Sequence, residues 1–180
     1  MFQILECIEQ MDNIEHDGQI RDLVLENLCF PTDKPGRWVH AGFGDVPPKA
    51  VKGGTDNGDQ LFIARARHKG YLIPGKFQPS HGVTYVAYGG KEYGKVLYEI
   101  LCAAEGRWVY VEGGHIPYNA VPAGRIATGE PLYIGRVCHN RTVTLGKVHP
   151  SHGCCYVPYG GEELAFKKFE IYVMDAYSYV

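Results

Sequence analysis

The sequence predicts an all-β domain: one antiparallel sandwich or barrel-like body with two pseudo-symmetric lobes, preceded by a short N-terminal helical hairpin. Three observations carry this. The last four-fifths of the chain is one module written twice: Arg37-Trp38-Val39 returns as Arg107-Trp108-Val109, and Pro47 with Ala50-Val51 returns as Pro117 with Ala120-Val121. After a one-residue slip, Leu61-Phe62-Ile63-Ala64-Arg65 becomes Leu132-Tyr133-Ile134-Gly135-Arg136, and Gly75-Lys76 becomes Gly146-Lys147. Pro79-Ser80-His81-Gly82, Tyr88-Gly89-Gly90 and Tyr98-Glu99-Ile100 recur as Pro150-Ser151-His152-Gly153, Tyr159-Gly160-Gly161 and Phe169-Glu170-Ile171. Two copies of a module of about 70 residues suit a two-lobed domain better than an extended solenoid. Second, the module is rich in short runs of strand formers bounded by turns. Third, Asp56-Asn57-Gly58-Asp59 and Lys69-Gly70 read as hairpin turns, because Asn-Gly accepts positive φ at little cost.

In chain order, residues 2–29 show apolar stripes at helical spacing, Phe2, Leu5, Ile8 and Met11, then Leu23, Val24 and Leu28, separated by Asp17-Gly18. Asn13, Glu15, Asp17, Gly18 and Ile20 fall on the early positions of an EF-hand loop, but the closing bidentate glutamate is replaced by Val24, so calcium is not expected there. Pro31-Thr32-Asp33-Lys34-Pro35-Gly36 reads as a linker. From Arg37 the signal turns to β: Leu61–His68 puts Arg65 and Arg67 on one face and Phe62, Ala64 and Ala66 on the other, while Val83–Tyr88 and Val96–Leu101 are strand-rich. The expected organisation is an acidic helical appendage and linker over 1–35, a first repeat over 36–103 and a second over 104–176, with 36–176 forming one domain.

Composition narrows the function classes. Residues 1–34 carry eight acidic and two basic side chains, net −6 against −2 for the whole chain, which leaves +4 for the repeats. That +4 is dispersed, with no Lys/Arg run of the kind that tracks phosphates, so nucleic acid is not an expected partner. Nothing approaches the apolar length of a membrane span, and the acidic start lacks the basic region of a signal peptide; a cytoplasmic protein that neither inserts in membranes nor needs a cofactor is expected, with unconventional release open. Cys7, Cys29, Cys102, Cys138, Cys154 and Cys155 do not match between copies, which argues for free thiols. No nucleophile elbow, P-loop, dinucleotide fingerprint or paired carboxylates stand at usable spacing, so an enzyme is not expected.

The motifs in register resemble a known family. Trp38, Pro47–Val51, Gly54 followed by Asp56, Leu61–Ala66, Pro74-Gly75-Lys76, Gly89-Gly90-Lys91-Glu92 and Tyr98–Leu101, each with a version in the second copy, are similar to the DM-nine repeat proteins. The paired repeats of that family also form the lectin module of natterin-like proteins. The resemblance covers about residues 36–174. It implies an all-β fold of two pseudo-twofold halves, often dimeric, and calcium-independent binding of mannose and mannose-ended glycans. It carries the sugar-binding aspartate and lysine onto Asp56 and Lys76; in the second copy the lysine survives as Lys147, but Ile126 stands in the aspartate position beside Arg125. A weak second site at Lys147 is the most the resemblance implies there.

The chemistry of the pair agrees. Adjacent sugar hydroxyls need a carboxylate to accept and a cation to donate, and charge-assisted bonds help offset the stripping of water from a polyol. Asp56 and Lys76 are expected on the rims of neighbouring turns, against the alternative of a surface ion pair of little consequence. Other constellations read as structural: His81 and His152 as turn-bonding residues, rather than part of a zinc site with His149, Cys154 and Cys155; Arg65 and Arg136 as strand-joining partners of Glu99 and Glu170. Tyr85, Tyr88, Tyr156 and Tyr159 suit cross-strand packing more than sugar stacking. An intracellular interaction or scaffold protein that has kept the fold without the sugar is the alternative function.

Overall fold

The computed structural model describes residues 36–174, and the helical hairpin and EF-hand-like loop expected within 2–29 lie outside the described residues. The first copy supplies β1 (Arg37–Gly42), β2 (Lys52–Asp56), β3 (Asp59–His68), β4 (Tyr71–Gln78), β5 (Val83–Tyr88), β6 (Lys91–Lys95) and β7 (Leu97–Cys102). The second supplies β8 (Gly106–Glu112), β9 (Pro122–Arg125), β10 (Pro131–His139), β11 (Thr142–His149), β12 (Cys154–Tyr159), β13 (Glu162–Phe166) and β14 (Lys168–Met174). One 3-10 turn, Pro150–His152, interrupts them, and no α-helix occurs among the described residues. Matched motifs fall on like strands, Leu61–Arg65 in β3 and Leu132–Arg136 in β10, Lys76 in β4 and Lys147 in β11.

Local chemistry sets the hairpins. Asn57 and Gly58 take φ of 47° and 87°, and Lys69 and Gly70 take 48° and 81°. Two successive left-handed residues make the turn whose twist matches antiparallel strands, as the Asn-Gly pair predicts. Each copy also bulges between its second and third strands, at Lys52/Gly54 and at Leu132/Tyr133, which bends the ribbon sharply.

Of the sandwich and barrel alternatives, the strand pairings make a barrel. Strands β2, β3, β4, β5, β6, β13, β12 and β11 hydrogen-bond in a closed antiparallel ring, with the remaining strands attached outside it. Two joints close the ring across the repeats: Val143↔Thr55 ties β11 to β2, and Glu162↔Lys91 ties β13 to β6. Outside it, Leu72↔Arg125 ties β4 to β9, the counterpart of the β11–β2 joint. Closure leaves the ring no edge for another chain to pair with.

The joints need glycine. A Cβ on Gly54 would fall on the carbonyl oxygen of Val143, and one on Gly124 on that of Leu72. The core divides accordingly. One cluster belongs to the first copy (Ala64, Ile73, Phe77, Val86, Ile100) and one to the second (Val111, Val137, Val148, Phe169, Ile171). A third is shared, with Leu61, Ile63 and Leu101 packed on Val121, Ala123, Ile134, Leu145 and Tyr172. Each fully buried Leu or Ile there contributes about 1.5–3 kcal/mol.

The arginines clamp the copies. Arg65 Nε donates to Glu99 at 2.6 Å, its guanidinium lies 4.2 Å from the Trp38 ring, and Nη1 reaches the Ala123 carbonyl across the repeat boundary at 3.4 Å. Arg136 repeats this with Glu170 at 2.6 Å, Trp108 at 4.3 Å and the Gly53 carbonyl at 3.2 Å. The expected Arg–carboxylate pairs therefore hold strands together, and they also explain why both copies keep the tryptophan.

Two predictions follow from this packing. Gly54→Ala or Gly124→Ala should lower the urea midpoint by the equivalent of about 2–4 kcal/mol, since backbone must move to admit the methyl. Gly94→Ala, whose Cβ would meet nothing closer than Tyr85 Cε1 at 3.6 Å, should unfold near wild type. Parallel urea titrations compare all three. The second concerns His68, buried with Nε2 unpartnered and packed on Tyr93 at 4.2 Å. Burial first, then Lys95, Lys69 and Lys147, push its pKa from 6.5 down to about 4. The unfolded chain therefore takes up the proton first as pH falls, and stability should drop between pH 6.5 and about 4. The loss attributable to this histidine is roughly 2–3 kcal/mol. His68→Phe should flatten that slope relative to wild type in denaturant melts across the window.

Candidate functional site

Lys76 is the centre of the site, and it does not lie where the sequence places it. Instead of standing on a turn rim, it sits within β4 opposite Tyr85 and is only 3% exposed. Pro74, Lys76 and Gln78 share the face of β4 turned away from the first-copy core, because Ile73 and Phe77 occupy the other. The ammonium sits 5.6 Å from the Tyr85 ring and 5.3 Å from the ring of Tyr159, which comes from the second copy. Glu92 Oε1 is 3.6 Å away. Burial holds the Lys76 pKa below the ordinary lysine value, while Glu92 and Asp56 pull it back up.

Asp56 is where the sequence puts it, at the end of β2 against the Asn57-Gly58 turn. Its charge helps hold the Lys76 pKa up, but the carboxylate that pairs with that ammonium is Glu92. Asp56 Oδ1 is shielded from solvent and has no hydrogen-bond donor among the described residues. A buried carboxylate oxygen without a donor is expensive to keep, and a ligand's hydroxyl can satisfy it only when the cover that excludes solvent from Oδ1 moves aside. The neighbouring turn is pinned in place: Asp59 accepts from the Ser80 amide and hydroxyl, and those bonds hold its carboxyl below the usual range. His81 Nδ1 lies 3.0 Å from the Tyr85 hydroxyl. That corrects the expectation that His81 bonds turn backbone; its partner is the tyrosine of the site. Burial, aided by Glu92, raises the Tyr85 pKa, which keeps the hydroxyl neutral and able to donate.

The second copy builds the same frame and closes it. Glu130 takes the place of Asp59 and accepts from Ser151, and His152 meets the Tyr156 hydroxyl at 3.0 Å. Lys147 lies between Tyr88 and Tyr156, at 5.7 and 5.4 Å. Its ammonium, however, donates to the Ala87 carbonyl at 2.6 Å and pairs with Glu163 at 2.9 Å. With Ile126 in place of the aspartate and these two partners taken, Lys147 has less to offer a ligand than Lys76. His149, at the position of Gln78, stacks on His152 at 3.7 Å between near-parallel rings. Burial, then His152, lower the His149 pKa, so the stack is favoured in its neutral form. No group of three His, Cys, Asp or Glu able to hold a metal occurs among the described residues, and the His149–Cys155 run does not gather into one.

Sequence reasoning missed Glu92 and Glu163. Glu92 Oε2 accepts from the Gly161 amide at 2.7 Å, and Glu163 Oε2 from the Gly90 amide at 2.6 Å. Each carboxylate thus faces its own lysine with one oxygen and the other repeat with the second. The available signal was their retention in both copies two residues after Gly-Gly, a turn that presents amides to a crossing side chain. The four tyrosines flank the lysines, and Tyr88 also packs on His68 and Tyr71.

Comparison with known proteins places this geometry. The chain is 32% identical over 144 residues to natterin-4 of Thalassophryne nattereri, a match that takes in 77% of this chain and 33% of natterin-4, so it spans a third of that relative's length. The fold is similar to that of the nematode sperm cell motility protein MFP2B, with a TM-score of 0.61 at 15% identity, over 86% of this chain and 52% of the other. The DM9 repeat model matches residues 11–95 and 55–166, and the first match begins ahead of the expected residue 36. With two matches that together span most of its length, the chain belongs to the DM9 repeat family.

Proposed function

We propose that this protein is a carbohydrate-binding, lectin-type module that takes mannose or mannose-ended glycans at Asp56 and Lys76 without calcium and without catalysing a reaction. The observation that carries the proposal is a buried ammonium, 3.6 Å from its partner Glu92 and within the field of Asp56, a carboxylate whose shielded Oδ1 has no donor. Vicinal hydroxyls supply what each lacks, a donor for the carboxylate and an acceptor for the ammonium. Family membership supports the class of ligand, and the two charges need no metal to neutralise them. The repeats act as pseudo-twofold halves over 36–103 and 104–176, and only the first carries a full site. The scaffold alternative, with the fold kept and the sugar lost, gives no reason for a donorless carboxylate in this place.

Isothermal titration with mannose tests the site. Asp56→Ala should lose a charge-assisted contact of about 1.5–3 kcal/mol, a roughly ten- to hundredfold fall in affinity, with an unchanged fold. The fold should tolerate the change because the second copy has Ile126 there. EDTA should leave wild-type binding unchanged, and Asp56→Ala binding like wild type would overturn the assignment.

Valency gives a further check. A site of two charges should hold a monosaccharide weakly, whereas linked sites gain avidity of about 10²–10⁴. With Lys147 engaged internally, useful avidity needs self-association, and a twofold homodimer is the commonest route. Sedimentation and agglutination of mannose-bearing cells, measured together, should show a dimer that agglutinates. A monomer that agglutinates would make Lys147 a working second site, and one that does not would favour the scaffold.

A further inference from the structure

Phe43 combines an exposed aromatic ring with a strained backbone, which folding does not require. It stands in the β1–β2 loop, 71% exposed, with φ of 54°, a left-handed backbone that a bulky side chain rarely adopts. The second copy shows what the loop asks for: the matching position is Gly113, at φ of 66°. The surrounding geometry is the same in both. Gly44 packs against Gly82 as Gly114 packs against Gly153, and Phe43 N bonds the Val96 carbonyl as Gly113 N bonds that of Lys167. The first copy therefore accepts both backbone strain and an exposed ring where glycine would serve the fold. Strain retained against an easier alternative is the mark of a functional position.

Its neighbourhood says which function. Gly44 packs on Gly82, next in the chain to His81, whose ring meets the hydroxyl of Tyr85, the tyrosine whose ring lies 5.6 Å from the Lys76 ammonium. The loop is fixed by two bonds of Tyr98, which accepts from the Gly44 amide and donates to the Asp45 carbonyl. Val46, 41% exposed, adds apolar surface in the same loop. The loop that carries this ring is thus packed on the Pro79–Gly82 turn, whose Ser80 and His81 bond Asp59 and Tyr85 of the Asp56–Lys76 site, on the copy that has the aspartate and not on the copy that lacks it. The C–H face of a pyranose is flat and apolar, and laying it on an aromatic ring removes both surfaces from water.

We propose that Phe43 is the platform of a second subsite, which stacks the next sugar ring of a glycan whose terminal mannose occupies Asp56 and Lys76. This rests on the mannose reading and adds to it: the protein distinguishes a chain end from a free monosaccharide. The decisive comparison is calorimetric, methyl α-mannoside against each linkage isomer of mannobiose, on wild type and Phe43→Gly. Wild type should bind at least one mannobiose several-fold more tightly than the monosaccharide. Phe43→Gly should erase that gain, keep the monosaccharide affinity, and melt no lower than wild type because the second copy already uses glycine there. A gain retained by Phe43→Gly, or a wild type with no preference among these sugars, would overturn the subsite while leaving the mannose pocket standing. A wild type that binds none of them would overturn both.

Discussion

The structure depends on how closely the two repeats approach each other. At Gly54 and Gly124 a strand of one copy crosses a carbonyl of the other with no room for a side chain. That contact lets β11 reach β2 and β4 reach β9, and without the first of these the ring would stay open. Most of what spans the boundary is reciprocal: Arg65 to Ala123 and Arg136 to Gly53, Glu92 to Gly161 and Glu163 to Gly90; the bond of Lys147 to Ala87 is the exception. Buried charges are tolerated here because each finds partners on both sides, and the penalty for removing one partner is what makes the boundary specific. Neither repeat satisfies these boundary groups alone.

The site inherits this arrangement. Lys76 comes from the first copy, yet it faces Tyr159 of the second, and Glu92 is oriented by a second-copy amide. A lysine on a free strand would place its ammonium in water. Here the boundary holds it inside, where a hydrogen bond to a ligand is worth more than at the surface. The two copies then diverge through a few substitutions on one frame. Ile126 for the aspartate and His149 for Gln78 accompany a lysine drawn onto Glu163 and Ala87. In the first copy an aspartate stays without a donor and a phenylalanine stays strained and exposed. Duplication supplies the frame twice, and local differences make one half a candidate receptor and the other a support.

Much of the fold was legible because it is written in local chemistry. The Asn57-Gly58 turn, the alternation along Leu61–His68 and the strand-rich Val83–Tyr88 each depend on residues within a few positions of one another. Asp56 and Lys76 were legible as a pair through the family's motif. Their setting was not: Lys76 looks like a rim residue next to Pro74-Gly75, but β4 runs straight through it and buries it. His81 looks like a turn-capping residue, but the local run of β5 puts the Tyr85 hydroxyl, four residues on, within reach of its ring instead.

The sequence by itself determined that the chain carries two copies of an all-β module and which residues differ between them, because repetition and turn chemistry are properties of neighbours in the chain. Only the tertiary structure decided between sandwich and barrel, gave Glu92 and Glu163 their partners, engaged Lys147 and left Asp56 Oδ1 without a donor. Those outcomes depend on contacts between residues some 60 to 80 positions apart, such as Lys147 with Ala87 and Arg136 with Gly53. No local pattern encodes such a pairing, since it forms only when two surfaces that each look complete in sequence are pressed together and their buried polar groups must be satisfied.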